Sequence, residues 1–330
     1  MGAVTILGVR PGANADTLSC AAANLESLLT FAGVTDTLTP LAAPCTADVT
    51  SPDRLRLSPV PLAQWLTRTT GLTLERWTAS TADEVLQFAA DVVMSGRPVL
   101  VHADAYTVPW NPYCGHEHHA HAFVVDGVDD NRLHMIDGYT NATRYGTAAP
   151  IELWMKRAEL AAVLAPPPDE RWAVEQLTGA ARATQSGLLT SFEIITANVR
   201  VRAEAEAAGR GLASLAAWAD KDHIAGLNLA IWLLTRSRTA HERWWHTLNP
   251  ATTSVDGGEC VAAWKMAQTL AYIAWRRVTA GKPCPTSIAD AVLAAADAEE
   301  RWFTQMAEWA QPRSTDEGRF SETPNIESAL

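Results

Sequence analysis

The chain has 330 residues, 48% of them hydrophobic and 19% charged, a balance that supports buried cores and excludes a disordered polymer. The net charge of −11 argues against general nucleic-acid binding, which needs clustered Lys and Arg to neutralise phosphates. No apolar run is long enough to span a membrane. The N-terminus MGAVTILGVRPGA has no basic segment ahead of a long apolar one, so a cytoplasmic location is the expectation.

Residues 1–16 read as a short extended segment followed by a glycine-containing loop. The spacing of Leu18, Ala22, Leu25 and Leu29 predicts a helix over 17–31, with Asp16 or Thr17 as its cap and Gly33 beyond its end. Cys20 then falls in the first turn, where free backbone N–H groups and the helix dipole favour a thiolate. Residues 36–60 show weak periodicity and read as an irregular excursion, and a short helix is expected at 61–68. Val85, Phe88, Ala89 and Val92 mark a helix over 80–95, stopped by Gly96 and Pro98. Val99–Ala103 reads as a buried strand. Ala122–Val128 and Leu133–Asp137 form a hairpin about Asp129-Asp130-Asn131. A helix is expected from Pro150 to Leu164.

Three consecutive prolines, Pro166 to Pro168, mark the clearest boundary. Residues 171–311 carry almost no strand signal and read as helices near 186–207, 211–219, 223–247, 258–279 and 286–311. The expected organisation is α+β: a mixed domain over 1–165, an all-α domain over 166–312 and a mobile tail over 313–330. Ten of the chain's 13 Trp residues lie from Trp154 onward. Their helical spacing fits core packing, with an apolar substrate cleft as the sharper alternative.

The five cysteines include no CxxC pair, and free thiols are the default in a reducing compartment. Four of the nine histidines fall at positions 116, 118, 119 and 121, between two strands. A cysteine nucleophile needs a base, a group to orient the base, and oxyanion donors. Cys20 supplies the thiol at a helix start, His121 the base at a strand start, and Asp137 the orienting carboxylate on the next strand. Asn14 and the Cys20 amide are the oxyanion candidates. Cys114 is the rival nucleophile, though no helix start lies behind it, and His118 and His119 are rival bases. Asp129 and Asp130 read as solvated turn residues, and alternation turns Asp126 to the opposite face from His121. Asp104, Tyr106, Trp110 and His118 are candidates for lining the site. The histidine group lacks acidic or thiolate partners at set positions, so no metal and no cofactor is expected.

This order of parts resembles the papain-like cysteine enzymes, including the compact bacteriocin-processing peptidases. It is also similar to the butirosin biosynthesis protein H family of acyltransferases, in which a papain-like domain precedes a helical one. The resemblance rests on CAAANLESLLTFAGV, GRPVLVHADAYTVPWNPY, HAHAFVVDGVDD with MID, IELWMKRAELAAVL, and GLASLAAWADKD with the Trp-rich helices. It covers most of residues 14–311, poorly over 36–80. It implies Cys20 as nucleophile, His121 as base and Asp137 as orienter. It also implies transfer of an acyl group from a carrier-protein thioester to an amine or an intramolecular nucleophile. Two departures stand out: Asn14 replaces the usual Gln before the nucleophile, and Ser19 replaces a His. The same constellation would also serve a cysteine peptidase or thioester hydrolase, and a non-catalytic binding module remains a third possibility. Since carrier proteins are acidic, a basic patch is expected near the site, from Arg97, Arg132, Arg144, Lys156 and Arg157.

Overall fold

The computed structural model describes residues 4–42, 48–51, 54–58, 62–168, 170–181, 223–248 and 255–309. The helices expected at 186–207 and 211–219, the tail, and Cys45 lie outside these residues. The architecture is α+β: a central antiparallel sheet with flanking helices, and a helical C-terminal region.

Helix α1 (Cys20–Phe31) starts three residues later than its apolar spacing suggests. Ser19 is the cap, in extended conformation, and its hydroxyl accepts from the Ala22 N–H at 3.4 Å. Cys20 is therefore the first helical residue. Leu25, Leu28 and Leu29 are fully buried, each contributing about 1.5–3 kcal/mol relative to exposure. The region expected to be irregular contains helix α2 (Leu38–Ala42) and a hairpin of β2 (Asp48–Ser51) and β3 (Arg54–Ser58). Helix α3 (Leu62–Thr70) follows, then strand β4 (Thr73–Ala79). Helix α4 (Ala82–Met94) is capped by Thr81, and Gly96 takes the positive φ of 84° that ends it.

Strand β5 (Val99–Asp104) pairs with β6 (Ala120–Val128), and β6 pairs with β7 (Arg132–Asp137). The turn is built by Asp129, whose carboxylate accepts from the Asn131 and Arg132 N–H groups. The N-terminal strand β1 (Val4–Thr5) adds to the far end of β6. Consecutive residues of β6 from His121 to Gly127 are buried, so both faces of the sheet are covered there, and α1 and α4 both pack on this strand. A small hairpin of β8 (Asn141–Thr143) and β9 (Gly146–Ala148) follows.

Two expectations are corrected here. Residues 151–156 are a strand, β10 (Ile151–Lys156), paired in full register with β7. Only Arg157–Val163 is helical (α5). The open edge of β7 offered a ladder of backbone partners that helix propensity could not match. The proline run also does not end the sheet. Strand β11 (Trp172–Thr178) lies beyond it and inserts between β5 and β4, giving the order β10-β7-β6-β5-β11-β4.

Helices α6 (Ile224–Leu248), α7 (Gly258–Thr279) and α8 (Ser287–Trp309) form the described helical part. Trp244, Trp245, Trp264, Trp275 and Trp302 are buried in its core, so the tryptophan spacing reports packing. That core extends onto Ala15, Leu18 and Ala23, on either side of Cys20. Inside it Arg238 is bound by Glu299 at 2.8 and 2.5 Å, and the Trp264 indole donates to the same carboxylate at 2.8 Å. No described helix is long and apolar enough to cross a membrane.

Candidate functional site

Three elements distant in the chain meet at one point. The start of α1 supplies Cys20, the first residues of β6 supply His121, and the last residue of β7 supplies Asp137. The Cys20 thiol lies 3.5 Å from the carbonyl of Ala120, the residue directly before His121, close enough that Cys20 helps raise the His121 pKa. The ring nitrogen Nε2 of His121 is 2.7 Å from Asp137 Oδ2. His121 and Asp137 are 3% and 5% exposed, whereas Cys20 is half-buried and open to approach. A thiol, an imidazole and a carboxylate in that order can pass a proton from sulfur to nitrogen and hold the resulting imidazolium. The first amides of α1 have no intrahelical partner and can donate to a developing oxyanion.

Electrostatics follow from the burial. Desolvation pushes the His121 pKa down, but Asp137 and Cys20 outweigh it and hold it up at about 10. Desolvation pushes the Asp137 carboxyl up; His121, Asn24 and the Tyr139 amide reverse this and leave it below the ordinary carboxylate range.

Asp137 is held by four donors. Oδ2 accepts from His121 and from the Trp110 indole at 3.0 Å; Oδ1 accepts from Asn24 at 3.0 Å and the Tyr139 N–H at 3.1 Å. Asn24 was not singled out by sequence reasoning. It lies one helical turn after Cys20 and is fully buried. Its Nδ2 reaches the Cys20 carbonyl (3.1 Å), the Ala122 carbonyl (2.8 Å) and Asp137, while its Oδ1 accepts from the Gly138 N–H at 2.9 Å. One amide thus ties the nucleophile helix to both strands. Its sequence signal was a polar residue four positions after Cys20, on the same face of the helix.

The expected oxyanion donor is elsewhere. Asn14 donates from Nδ2 to Glu26 Oε1 at 2.6 Å and from its backbone N–H to Oε2 at 3.0 Å, and its Oδ1 accepts from Arg243 at 3.1 Å. Glu26 is buried and needs these donors, together with the Thr37 hydroxyl. No hydrogen bond among the described residues links Asn14 to Cys20.

The loop after β5 is organised by Asp104, which is buried and accepts from the Tyr106 and His119 amides and pairs with His118 Nδ1 at 2.5 Å. Tyr106 stacks on the exposed His118 ring, centroids 4.2 Å apart. Trp110, expected to flank substrate, instead covers Asp137 and meets Phe123 edge-on. The four histidines diverge. His116 stacks on Tyr145, His118 binds Asp104, His119 meets Tyr113 and Glu117, and His121 binds Asp137. The three described side chains that could share an ion, Glu242, His246 and Asp256, belong to the helical part and its adjoining turn. Cys114 lies in the loop and is half-buried.

Two further phenols stand near the thiol. Burial pushes the Tyr113 pKa up to about 12 and raises that of Tyr139, and Cys20 contributes to both shifts. The Tyr139 ring also meets His121 at 5.9 Å. Of the cations expected to form a basic patch, Arg132, Arg144 and Lys156 are paired with Asp129, Glu117 and Glu159. Arg157 bonds Gln87, and Arg97 reaches Ser95.

Residues 53–138 match the family described as butirosin biosynthesis protein H, N-terminal. The matched stretch contains His121 and Asp137; Cys20 lies before it. No curated protein matches the chain.

Proposed function

Taking the match of residues 53–138 to the butirosin biosynthesis protein H N-terminal family as the premise, we propose that the protein is an acyltransferase of specialised, antibiotic-type metabolism with a papain-like catalytic part. The observation that carries this reading is the convergence of Cys20, His121 and Asp137 at a capped helix start. The acyl donor is a thioester on an acyl or peptidyl carrier protein. The Cys20 thiolate attacks the thioester carbonyl, the new thioester forms on Cys20, and the carrier thiol leaves with the proton held by His121. An acceptor amine then attacks the Cys20 thioester. His121 takes the amine proton, the amide bond forms, and Cys20 leaves as the thiolate. A thioester suits this site because its leaving group needs little protonation. An amine within the same acyl chain would give cyclising release. No cofactor is needed for these steps.

The test is to incubate the protein with an acylated carrier protein, with and without a free amine, and follow Cys20 by mass spectrometry. An adduct on Cys20 that resolves to amide supports acyl transfer. One that resolves only to free acid makes the protein a thioester hydrolase. Adduct formation undiminished in Cys20→Ala refutes the assignment of the nucleophile.

A further inference from the structure

One side chain of the helical part hydrogen-bonds to the chain on both sides of the site. Arg236 lies on α6 and is half-buried. Its Nη1 donates to the carbonyls of Ala15 at 3.2 Å and Leu18 at 2.8 Å. Its Nη2 donates to the Thr140 carbonyl at 2.8 Å and to Asn141 Oδ1 at 3.1 Å. The first pair lies in the loop that runs into Cys20, and the second directly follows Asp137 and Tyr139. The guanidinium also lies over the rings of Tyr139 (5.5 Å) and Trp232 (5.0 Å). Tyr139 in turn packs against His121 and gives its amide to Asp137.

We propose that Arg236 is a positioning residue. It fixes the register between the start of α1 and the end of β7, and so sets where the Cys20 thiol stands relative to His121. This inference rests on the reading of Cys20 as nucleophile. The geometry suits arginine in particular. A planar fork with donors on two nitrogens can bridge two pairs of acceptors, while an ammonium is a single point of charge. The acceptors are three backbone carbonyls and one amide oxygen, so the contact specifies position rather than neutralising an acid. Residues 15–18 and 138–140 are loop on both sides of the site, with Asn141 opening β8, and small shifts of such groups lower reactivity steeply. The reactive centre is on this account completed by the C-terminal helices, and the N-terminal part alone would hold its thiol and imidazole loosely.

The full-length protein tests this through the chemistry of Cys20 itself, independent of any acyl donor. Alkylation of Cys20 by iodoacetamide is followed by peptide mass spectrometry across a pH series, with Cys114 as the internal reference. In the unaltered protein Cys20 should react faster than Cys114 at about pH 6.5, well below the ordinary thiol pKa of about 8.5. Arg236→Met should slow Cys20 at least tenfold, on the order of the losses seen for misplaced groups, and move its pH profile toward that of Cys114. Arg236→Lys keeps the charge and should recover little of the rate. An Arg236→Met protein with the unaltered Cys20 profile overturns the inference. So does an Arg236→Lys protein indistinguishable from the unaltered one, since charge rather than the fork would then suffice. If Arg236→Met does not fold, Asn141→Ala decides. It removes one of the acceptors and should slow Cys20 by about threefold, the equivalent of one net hydrogen bond, without lowering the melting temperature much. An unchanged Cys20 rate in that variant overturns the inference. Cys20 no more reactive than Cys114 in the unaltered protein would instead refute the nucleophile reading and take this inference with it.

Discussion

Replacing Asn24 offers the sharpest test of how the site is held, because two substitutions predict opposite roles for water. Asn24→Leu nearly conserves volume but removes both ends of the amide. The Gly138 N–H and the Ala122 carbonyl lose their side-chain partner in a fully buried position, and Asp137 Oδ1 keeps only the Tyr139 amide. An orphaned buried donor costs roughly 1–3 kcal/mol, and losing a hydrogen bond to a charged group roughly 1.5–3 kcal/mol. The sum is about 2.5–6 kcal/mol, or roughly 5–24 °C in melting temperature for a cooperative unit of about 200 residues. Asn24→Ala leaves room for about one water, which has the polar partners it needs to rebridge these groups, so its cost should be about half as large. Calorimetry on the two variants gives the order directly. An Asn24→Leu protein that melts within about 2 °C of the unaltered one, or above Asn24→Ala, would refute the claim that this amide is an obligatory bridge. Cys20 alkylation should slow in both variants, more in the leucine one.

Other predictions bear on single contacts. His121 has its folded pKa raised to about 10 against about 6.5 when unfolded. The stability its pairing contributes is therefore complete below about pH 6.5 and is lost as pH rises toward 10. The melting-temperature gap between the unaltered protein and His121→Gln should shrink over that interval, and a gap that widens instead would reverse the assignment. Asp137 is depressed, so its contribution is present above about pH 4 and disappears as pH falls through its lowered value. The gap to Asp137→Asn should close only in acid. Trp110→Phe removes the indole donor to the Asp137 carboxylate and should cost roughly 1.5–3 kcal/mol, read as a shift of the chemical denaturation midpoint at unchanged slope. Arg238→Met strands Glu299 inside the helical core, with the Trp264 indole as its remaining side-chain donor among the described residues. A loss of about 3–5 kcal/mol should follow in urea denaturation, and Glu299→Gln should be milder.

What could be read from the chain is what local pattern encodes. The Cys20 helix, β5 and the β6–β7 hairpin are continuous segments with their own periodicity, caps and turn residues, so their existence and order followed from the residues alone. Strand β4 lacks a clean alternation and is largely exposed, and its partner β11 lies about a hundred positions away; neither announces itself without the other. The segment IELWMK runs directly into a true helix, and only the free edge of β7 makes it a strand. At the site, residue types were legible and pairings were not. Trp110 looked like a substrate contact because nothing local reveals that its indole N–H faces Asp137. Asn14 looked available because the demand of buried Glu26 cannot be seen in sequence.

The two bridges missed by sequence reasoning answer the same physical problem. Cys20 and His121 are about a hundred residues apart, and the sheet fixes His121 and Asp137 to each other but not to α1. Apolar packing of Leu25, Leu28 and Leu29 holds the helix on the sheet, yet such contacts are non-directional and tolerate sliding. Asn24 removes that freedom from inside, one turn behind the thiol, and Arg236 removes it from outside, at the loop before it. Both side chains address backbone groups for most of their bonds. Such targets exist at every position, so they leave no pairing pattern in the sequence, and they report position with an angular precision that packing lacks. The combined loss in Asn24→Ala with Asn141→Ala should accordingly exceed the sum of the single losses in Cys20 reactivity, because either bridge alone still restrains the helix. Strict additivity would mean that the two act on separate motions.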